Sequence, residues 1–359
     1  MWIKKLELSQ FRNYEALSLD FQKGVNVIEG DNGEGKTSLV EAIALFPLSK
    51  SIRTTDDKEM IRLGGQFAKV ECVVEKEFEE KLKIVISKQG KYVEINGSEL
   101  KKISNLAGIV KVISFLPKDV ELFKSSPSNR RRFIDSTISM LDRTYLLELS
   151  KYNKILDQIR ILLKEEKVDQ IHLEVLIKEL SKLGIGIQTK RKSFIDALNE
   201  EIKVMSKYLE EDENKMKLIY CPDIGDEEEN VYYSKVWDKL KQTLEMNKMA
   251  RNLIKGIHQD DILMNFNEKD LATYGSQGQN RIAVIALKLS LVRMIKLKFK
   301  EEPIVILDDV LSELDELHQK KLIQLLNRIE QVFITGTKIY LIEKYALYNV
   351  KDNVVRRIK

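Results

Sequence analysis

Ile3, Leu6 and Leu8 alternate with polar residues at the amino terminus, and Val25, Val27 and Ile28 form an apolar stretch directly before Gly30. Short strands are predicted there, the second of them feeding a glycine-rich loop. From Ser38 to Phe46 the positions Leu39, Ile43, Leu45 and Phe46 suit a helix that buries one face, and Pro47 closes it. Alternating runs around Val70 to Val74, Leu82 to Ile86 and Tyr92 to Ile95, with Asn96-Gly97 as a tight-turn signal, predict a small antiparallel sheet. A further strand is expected over Val110 to Phe115. Beyond Pro127 the period changes: Leu149, Tyr152, Ile155, Leu156, Ile159 and Leu163 recur at three-and-four spacing, the mark of a long amphipathic helix, and helices are expected to continue to about Thr243. From Asp260 onward turn, helix and strand signals return, with Ile304 to Leu307 a fully apolar strand.

This order predicts an α/β chain in which a mainly helical arm, residues 144–250, interrupts two α/β portions, residues 1–143 and 251–359. The length suits one large domain with an insertion, or two domains. About 100 helical residues folded antiparallel, at ~1.5 Å each, reach only several tens of Å, too short for a long tethering coiled coil. No uninterrupted apolar run approaches the roughly 20 residues of a membrane span, so no membrane partner is expected. Met1 to Leu6 lacks the pattern of a secretory signal, and a cytoplasmic protein is expected. Cys72 and Cys221 stand far apart and suggest neither a disulfide framework nor a zinc site. The 60 basic and 56 acidic residues leave a net charge of only +4, so any attraction for nucleic acid must come from local clustering. The acidic run Asp226 to Glu229 reads as a solvated loop.

Gly30-Asp31-Asn32-Gly33-Glu34-Gly35-Lys36-Thr37 matches the phosphate-loop pattern G-x-x-x-x-G-K-[ST] and opens the helix that continues with Ser38. Glycines let backbone N–H groups wrap the phosphates of ATP, Lys36 reaches the β and γ oxygens, and Thr37 binds Mg²⁺. Downstream, Ile304-Val305-Ile306-Leu307-Asp308-Asp309 places two carboxylates at the end of a buried strand. Asp308 is the expected metal partner and Asp309 the catalytic acid-base residue, although two acids in this position also suit a helix cap. Between them, Tyr274-Gly275-Ser276-Gln277-Gly278-Gln279-Asn280-Arg281 leads into another helix. Its N–H groups and the Ser276 hydroxyl could meet the γ-phosphate of an ATP held by another subunit, or Ser276 could simply cap the helix.

Taken together, the phosphate loop, Ser276-Gln277-Gly278-Gln279, the Asp308-Asp309 strand and Leu311-Ser312-Glu313-Leu314-Asp315 follow the order of an ABC-type ATPase. Within that superfamily the chain resembles the RecF family of bacterial recombination-repair ATPases over nearly its whole length. Further motifs that carry the resemblance are Phe11-Arg12-Asn13-Tyr14, Ser51-Ile52-Arg53-Thr54, Ser126-Pro127 with Arg130-Arg131-Arg132-Phe133-Ile134-Asp135, and Leu307 to Asp315. ABC transporter and chromosome-maintenance heads usually carry glutamate where Asp309 stands. The chain departs from the family pattern at Pro117-Lys118-Asp119, commonly Pro-Glu-Asp, and at Gly256-Ile257-His258-Gln259-Asp260-Asp261, commonly Gly-Pro-His-Arg-Asp-Asp. The second departure favours a structural loop role for His258.

The resemblance implies an ABC-type ATPase head with a phosphate loop and mixed sheets, plus the inserted helical arm. It implies ATP and Mg²⁺, with Lys36, Asp308, Asp309 and Ser276 in catalysis. Arg12, residues 30–38, Ser276 to Gln279, Asp315 and Thr335 would line the nucleotide, Thr335 as the switch that senses the γ-phosphate and Arg12 either near the phosphates or in a surface salt bridge. Two chains would sandwich two ATP molecules head to tail, with slow turnover, since each site needs both subunits. The family's partners are DNA at gaps or junctions, RecR and RecO, and RecA, which they help to load. Lys124, Arg130, Arg131 and Arg132 could neutralise DNA phosphates, or the arginines could be engaged in helix ion pairs or intersubunit bridges. A transporter's nucleotide-binding subunit and a chromosome-structural ATPase head are the competing readings.

Overall fold

In a computed structural model of the chain, the apolar stretch before the glycine loop is the strand Gly24–Glu29, flanked on both sides in a six-stranded sheet. The structure describes residues 1–165, 167–225, 229–242, 246, 249, 253, 255–337, 342 and 344–359. The strand order is Val354–Arg357, Tyr345–Lys351, Gly24–Glu29, Gln331–Gly336, Ile304–Asp308 and Val112–Phe115, parallel throughout except for the first pair. Every residue of Ile304–Asp308 and of Gln331–Gly336 is buried, which is why these strands read as near-continuous apolar runs. A second six-stranded sheet, wholly antiparallel, is built from Tyr14–Asp20, Trp2–Phe11, Phe67–Glu75, Glu79–Ser87, Gly90–Ile95 and Ser98–Glu99. Asn96-Gly97 forms its last tight turn, with φ of 51° and 79°. Leu8, Val70 and Ile84 from this sheet, Leu39 and Ile43 from the helix Lys36–Ala44, and Ile306 and Phe333 from the first sheet share one apolar core. Each such side chain contributes about 1.5–3 kcal/mol.

These sheets belong to a compact unit of residues 1–120 and 284–359; residues 121–283 form a second unit. The second unit therefore starts earlier and ends later than the arm expected over residues 144–250. Strand pairing supplies the reason. Asp261–Phe266 pairs antiparallel with Met216–Cys221, Asp261 opposite Cys221 and Phe266 opposite Met216, so residues read as returning to the head are tied to the arm. A third strand, Lys269–Asp270, completes this small sheet. The strand Met216–Cys221 lies inside the stretch expected to be helical, and the alternation of buried Met216 and Leu218 with exposed Lys217 was its signal. Around it run the helices Pro127–Leu141, Arg143–Leu162, Gln170–Glu210 and Glu229–Gln242. Thr243 and positions 226–228 of the acidic run lie outside the described residues.

Arg191, only 1% exposed, sits at the centre of the second unit. Its guanidinium donates to Asp135 at 2.9 and 2.8 Å, to Asp260 at 2.7 Å and to the Ile257 carbonyl at 2.8 Å. Asp260 also accepts from the Tyr220 hydroxyl and, at 2.9 Å, from the Asp223 amide. Burial pushes the Asp260 carboxyl up, and Arg191 pulls it back. Nearby, His258 lies between the Leu253 carbonyl at 2.6 Å and the Tyr152 hydroxyl at 2.8 Å. The carbonyl can only accept, so Nε2 carries the proton and Nδ1 accepts from Tyr152. Burial holds this imidazole down at about 4, neutral in ordinary conditions, which matches the structural role expected of it. Arg191→Ala strands the buried Asp260 carboxylate and the half-buried Asp135, and an expected loss of about 3–5 kcal/mol follows. Urea unfolding of the variant measures it; a loss below about 1 kcal/mol would show that water replaces the guanidinium.

Candidate functional site

The phosphate loop leaves the strand Gly24–Glu29 and enters the helix Lys36–Ala44. Gly33 and Gly35 take φ of 90° and 104°, a region that side-chain-bearing residues avoid. The Lys36 ammonium donates to the carbonyls of Gly30 at 2.7 Å and Asp31 at 2.8 Å, closing the loop on itself. No side chain caps the helix at Gly35 and no acidic residue stands in its first turn, so the helix start presents N–H groups and positive potential to an anion. Ser38 is buried in that first turn, while Asp31, Asn32 and Gly33 are exposed and Glu34 half-buried.

Strand register brings the acidic pair to this loop. Asp308 lies opposite Thr335 across two parallel strands, and its Oδ1 accepts from the Thr335 hydroxyl at 2.6 Å and from the Thr37 hydroxyl at 3.1 Å. Asp308 is only 5% exposed. Burial pushes its carboxyl up; the two threonine hydrogen bonds oppose that, Asp309 adds to it, and Arg53 opposes it. Asp309 follows in the left-handed region, φ 55°, and is exposed. Its backbone N–H donates to the Thr335 hydroxyl at 3.1 Å and to the Thr335 carbonyl at 3.2 Å. Thr335 thus holds one acid by its carboxylate and the other by its amide, a double task that the sequence pattern did not reveal.

Thr37 and Asp308 offer a hydroxyl and a carboxylate within 3.1 Å of each other, hard oxygen donors that suit Mg²⁺. Among the described residues no group of three or more His, Cys, Asp or Glu could hold a metal by itself. Mg²⁺ is commonly held by one or two protein oxygens and completed by water and substrate phosphates.

Arg12, expected near the phosphates or in a salt bridge, makes a two-pronged bond to Glu41 at 2.9 and 2.7 Å and reaches the Glu59 carbonyl at 2.6 Å. Glu41 lies on the helix that the phosphate loop opens and is 0% exposed while Arg12 is half-buried, so the pair is partly buried rather than on the surface. Ser51 donates to the same carboxylate, and Arg53 stands 3.5 Å from it. Sequence reasoning passed over Glu41; a carboxylate on the apolar face of a helix was the available signal. Lys118, at the first departure from the family pattern, donates to the Ile52 carbonyl. Asp315 caps the helix Glu316–Leu326, accepting from the His318 amide at 3.0 Å and facing the His318 ring at 2.6 Å.

In the second unit, Ser276 and Gln279 cap the helix Gln277–Phe299 reciprocally: the Gln279 amide donates to the Ser276 hydroxyl at 3.2 Å, and the Ser276 amide to the Gln279 side chain at 2.9 Å. The capping alternative is thus realised, and Ser276, Gln277 and Gly278 remain exposed. The arginine cluster divides. Arg130 is buried, with its guanidinium bonded to Asp261 at 2.8 and 2.6 Å and to the Phe123 carbonyl at 2.9 Å, which corrects its reading as a DNA contact. Arg131 donates to the Asp260 carbonyl and is half-buried. Lys124 and Arg132 are exposed.

Residues 2–355 match the family model of the RecF/RecN/SMC N terminal domain. A protein of Clostridium novyi (strain NT) named DNA replication and repair protein RecF is 37% identical over 355 residues, covering 98% of this chain and 97% of its own. The solved structure of the recombination mediator protein RecF-ATP in the RecFOR pathway superposes with a TM-score of 0.93 at 30% identity, covering 100% of this chain and 98% of that one. An SmcHead, solved bound to the C-winged helix domain of ScpA, shares the fold at a TM-score of 0.56 and 15% identity, covering 100% of this chain and 97% of that one. The α/β architecture is accordingly that of an ABC-type ATPase head.

Proposed function

This chain belongs to the RecF family of DNA replication and repair proteins, ABC-type ATPases that bind ATP, and from that premise we propose that it hydrolyses ATP slowly, with Mg²⁺, as an ATP-dependent homodimer acting on DNA. The observation that carries the reading is the cluster of Thr37, Asp308, Asp309 and Thr335 beside the phosphate loop. Lys36 and the N–H groups at the start of its helix bind the β and γ phosphates, which lowers the cost of crowding negative charge at the reacting phosphorus. Thr37 and Asp308 would hold the Mg²⁺, which would supply charge neutralisation of the phosphate oxygens. Asp309, fixed by its amide on Thr335 and open to solvent, orients the attacking water and receives its proton. Thr335 transmits the state of the γ-phosphate to both acids. Arg12 acts through Glu41, and Asp315 through the helix that it caps.

Closure between two copies supplies the remaining part. The exposed Ser276-Gln277-Gly278 helix start of one protomer takes the γ-phosphate of the other's ATP, with the reciprocal cap keeping it ordered. Nucleotide held across the interface stabilises the dimer by mass action, and hydrolysis releases it. The same reading has the chain act in the cytoplasm on DNA at gaps or junctions, with RecR and RecO, in the loading of RecA; the family match and the RecFOR pathway named for the RecF-ATP structure support it. Of the charges first considered for DNA, Lys124 and Arg132 are the two that face solvent.

Sedimentation with ATP, with ADP and without nucleotide, each with and without gapped duplex DNA, tests this reading. An ATP-dependent dimer with tightened DNA binding is expected. Ser276→Arg should bind ATP as a monomer and fail to dimerise; a persistent ATP-dependent dimer in that variant sinks the cross-subunit contact.

A further inference from the structure

Two positions of the phosphate loop are glycine for a reason beyond the nucleotide. A Cβ on Gly30 would come within 2.3 Å of the Val350 carbonyl, and one on Gly35 within 2.9 Å of the Tyr14 hydroxyl and 3.4 Å of the Asn353 side chain. Val350 and Asn353 belong to the hairpin of Tyr345–Lys351 and Val354–Arg357, whose turn, Asp352-Asn353, has φ of 53° and 59°. Its first strand runs parallel to Gly24–Glu29, with Asn349 opposite Glu29, and so arrives beside the loop one residue before Gly30. There the Asp352 amide donates to the Glu34 carboxylate. On Gly35, the buried Tyr14 hydroxyl donates to the carbonyl at 3.1 Å.

We infer that this hairpin, through the Asp352 amide on Glu34, works with Tyr14 on Gly35 as a positioning element of the nucleotide site, holding the phosphate loop in its anion-receiving shape before the ligand arrives. The inference rests on the phosphate-loop reading proposed above. Glu34 carries a negative charge in a loop that must receive one, and an untethered carboxylate there would repel the phosphates. The hairpin amide gives that charge a partner. Tyr14 meanwhile fixes the carbonyl of Gly35, the residue whose left-handed φ of 104° turns the chain into the helix. Burial, with Glu34 adding to it, raises the titration of the Tyr14 hydroxyl, so it remains a donor at any ordinary pH. Loop order fixed in advance lowers the entropy cost of binding, and it acts on ATP and ADP alike because both present the β-phosphate.

Titration of the full chain with fluorescent ATP and ADP analogues tests this. Glu34→Ala removes the acceptor and should weaken both nucleotides by about three- to tenfold, the worth of one hydrogen bond. Glu34→Gln keeps an acceptor for the Asp352 amide and should bind as tightly as the wild type or more tightly. Tyr14→Phe should weaken both nucleotides as Glu34→Ala does. If that variant fails to fold, the half-buried Glu34 pair decides alone. Unchanged or tighter binding in Glu34→Ala, or an equal loss in Glu34→Gln, overturns the inference while leaving the phosphate loop in place. A wild-type chain that binds neither nucleotide would instead overturn both.

Discussion

Lys36→Met is expected to weaken ATP binding by about 10²- to 10⁴-fold, the worth of two charge-assisted hydrogen bonds at roughly 1.5–3 kcal/mol each. The ammonium is the loop's own cation, and it also ties the carbonyls of Gly30 and Asp31 together. Methionine keeps the length and apolar stem of the side chain while removing both functions, so packing around this largely buried position survives. Isothermal titration with ATP measures the loss, and the same protein should show no ATP-dependent dimer in sedimentation. ATP affinity within a few-fold of wild type would refute the assignment of the loop.

The second large effect is expected at Asp309. Asp309→Asn should leave ATP affinity nearly unchanged and lower hydrolysis by about 10²- to 10⁴-fold, the usual contribution of a positioned acid-base group. The result is a dimer that persists in ATP. The substitution is conformationally clean: asparagine tolerates the left-handed φ of 55°, and the backbone N–H bonded to Thr335 is untouched. Phosphate release and sedimentation on one preparation check both halves. Hydrolysis at the wild-type rate would remove Asp309 from the reaction and leave it as an ordinary strand terminus.

The parts of the site legible in the sequence were those coded locally. A strand, a glycine loop and a helix follow one another over residues 24–44, and each has its own signal in periodicity or residue type. Asp308-Asp309 ends a strand so apolar that its burial could be read directly. What escaped was pairing at a distance. Thr335 acts on both acids only because Gln331–Gly336 lies beside Ile304–Asp308, and nothing in its neighbourhood announces that. Arg130 looks like a phosphate-binding arginine until Asp261, far along the chain, is placed against it. Arg191 stands in no motif, and yet it is the buried cation around which Asp135 and Asp260 gather. The unit boundaries shifted for the same reason, since a strand that pairs with residue 221 cannot be assigned from its own composition.

The placement of Gly24–Glu29 between Gln331–Gly336 and Tyr345–Lys351 also dictates when the protein can become active during its synthesis. The phosphate-loop strand emerges from the ribosome early, but both of its edges stay open until some 300 further residues have been made, on the order of tens of seconds at ~5–20 residues per second. Residues 121–283 can complete their own hydrogen-bond network during that interval. An apolar strand left waiting with two free edges is a natural ligand for chaperones and a risk for mispairing. A chain whose translation stops before the last strands carries the whole phosphate-loop sequence and lacks both of the strands that flank it.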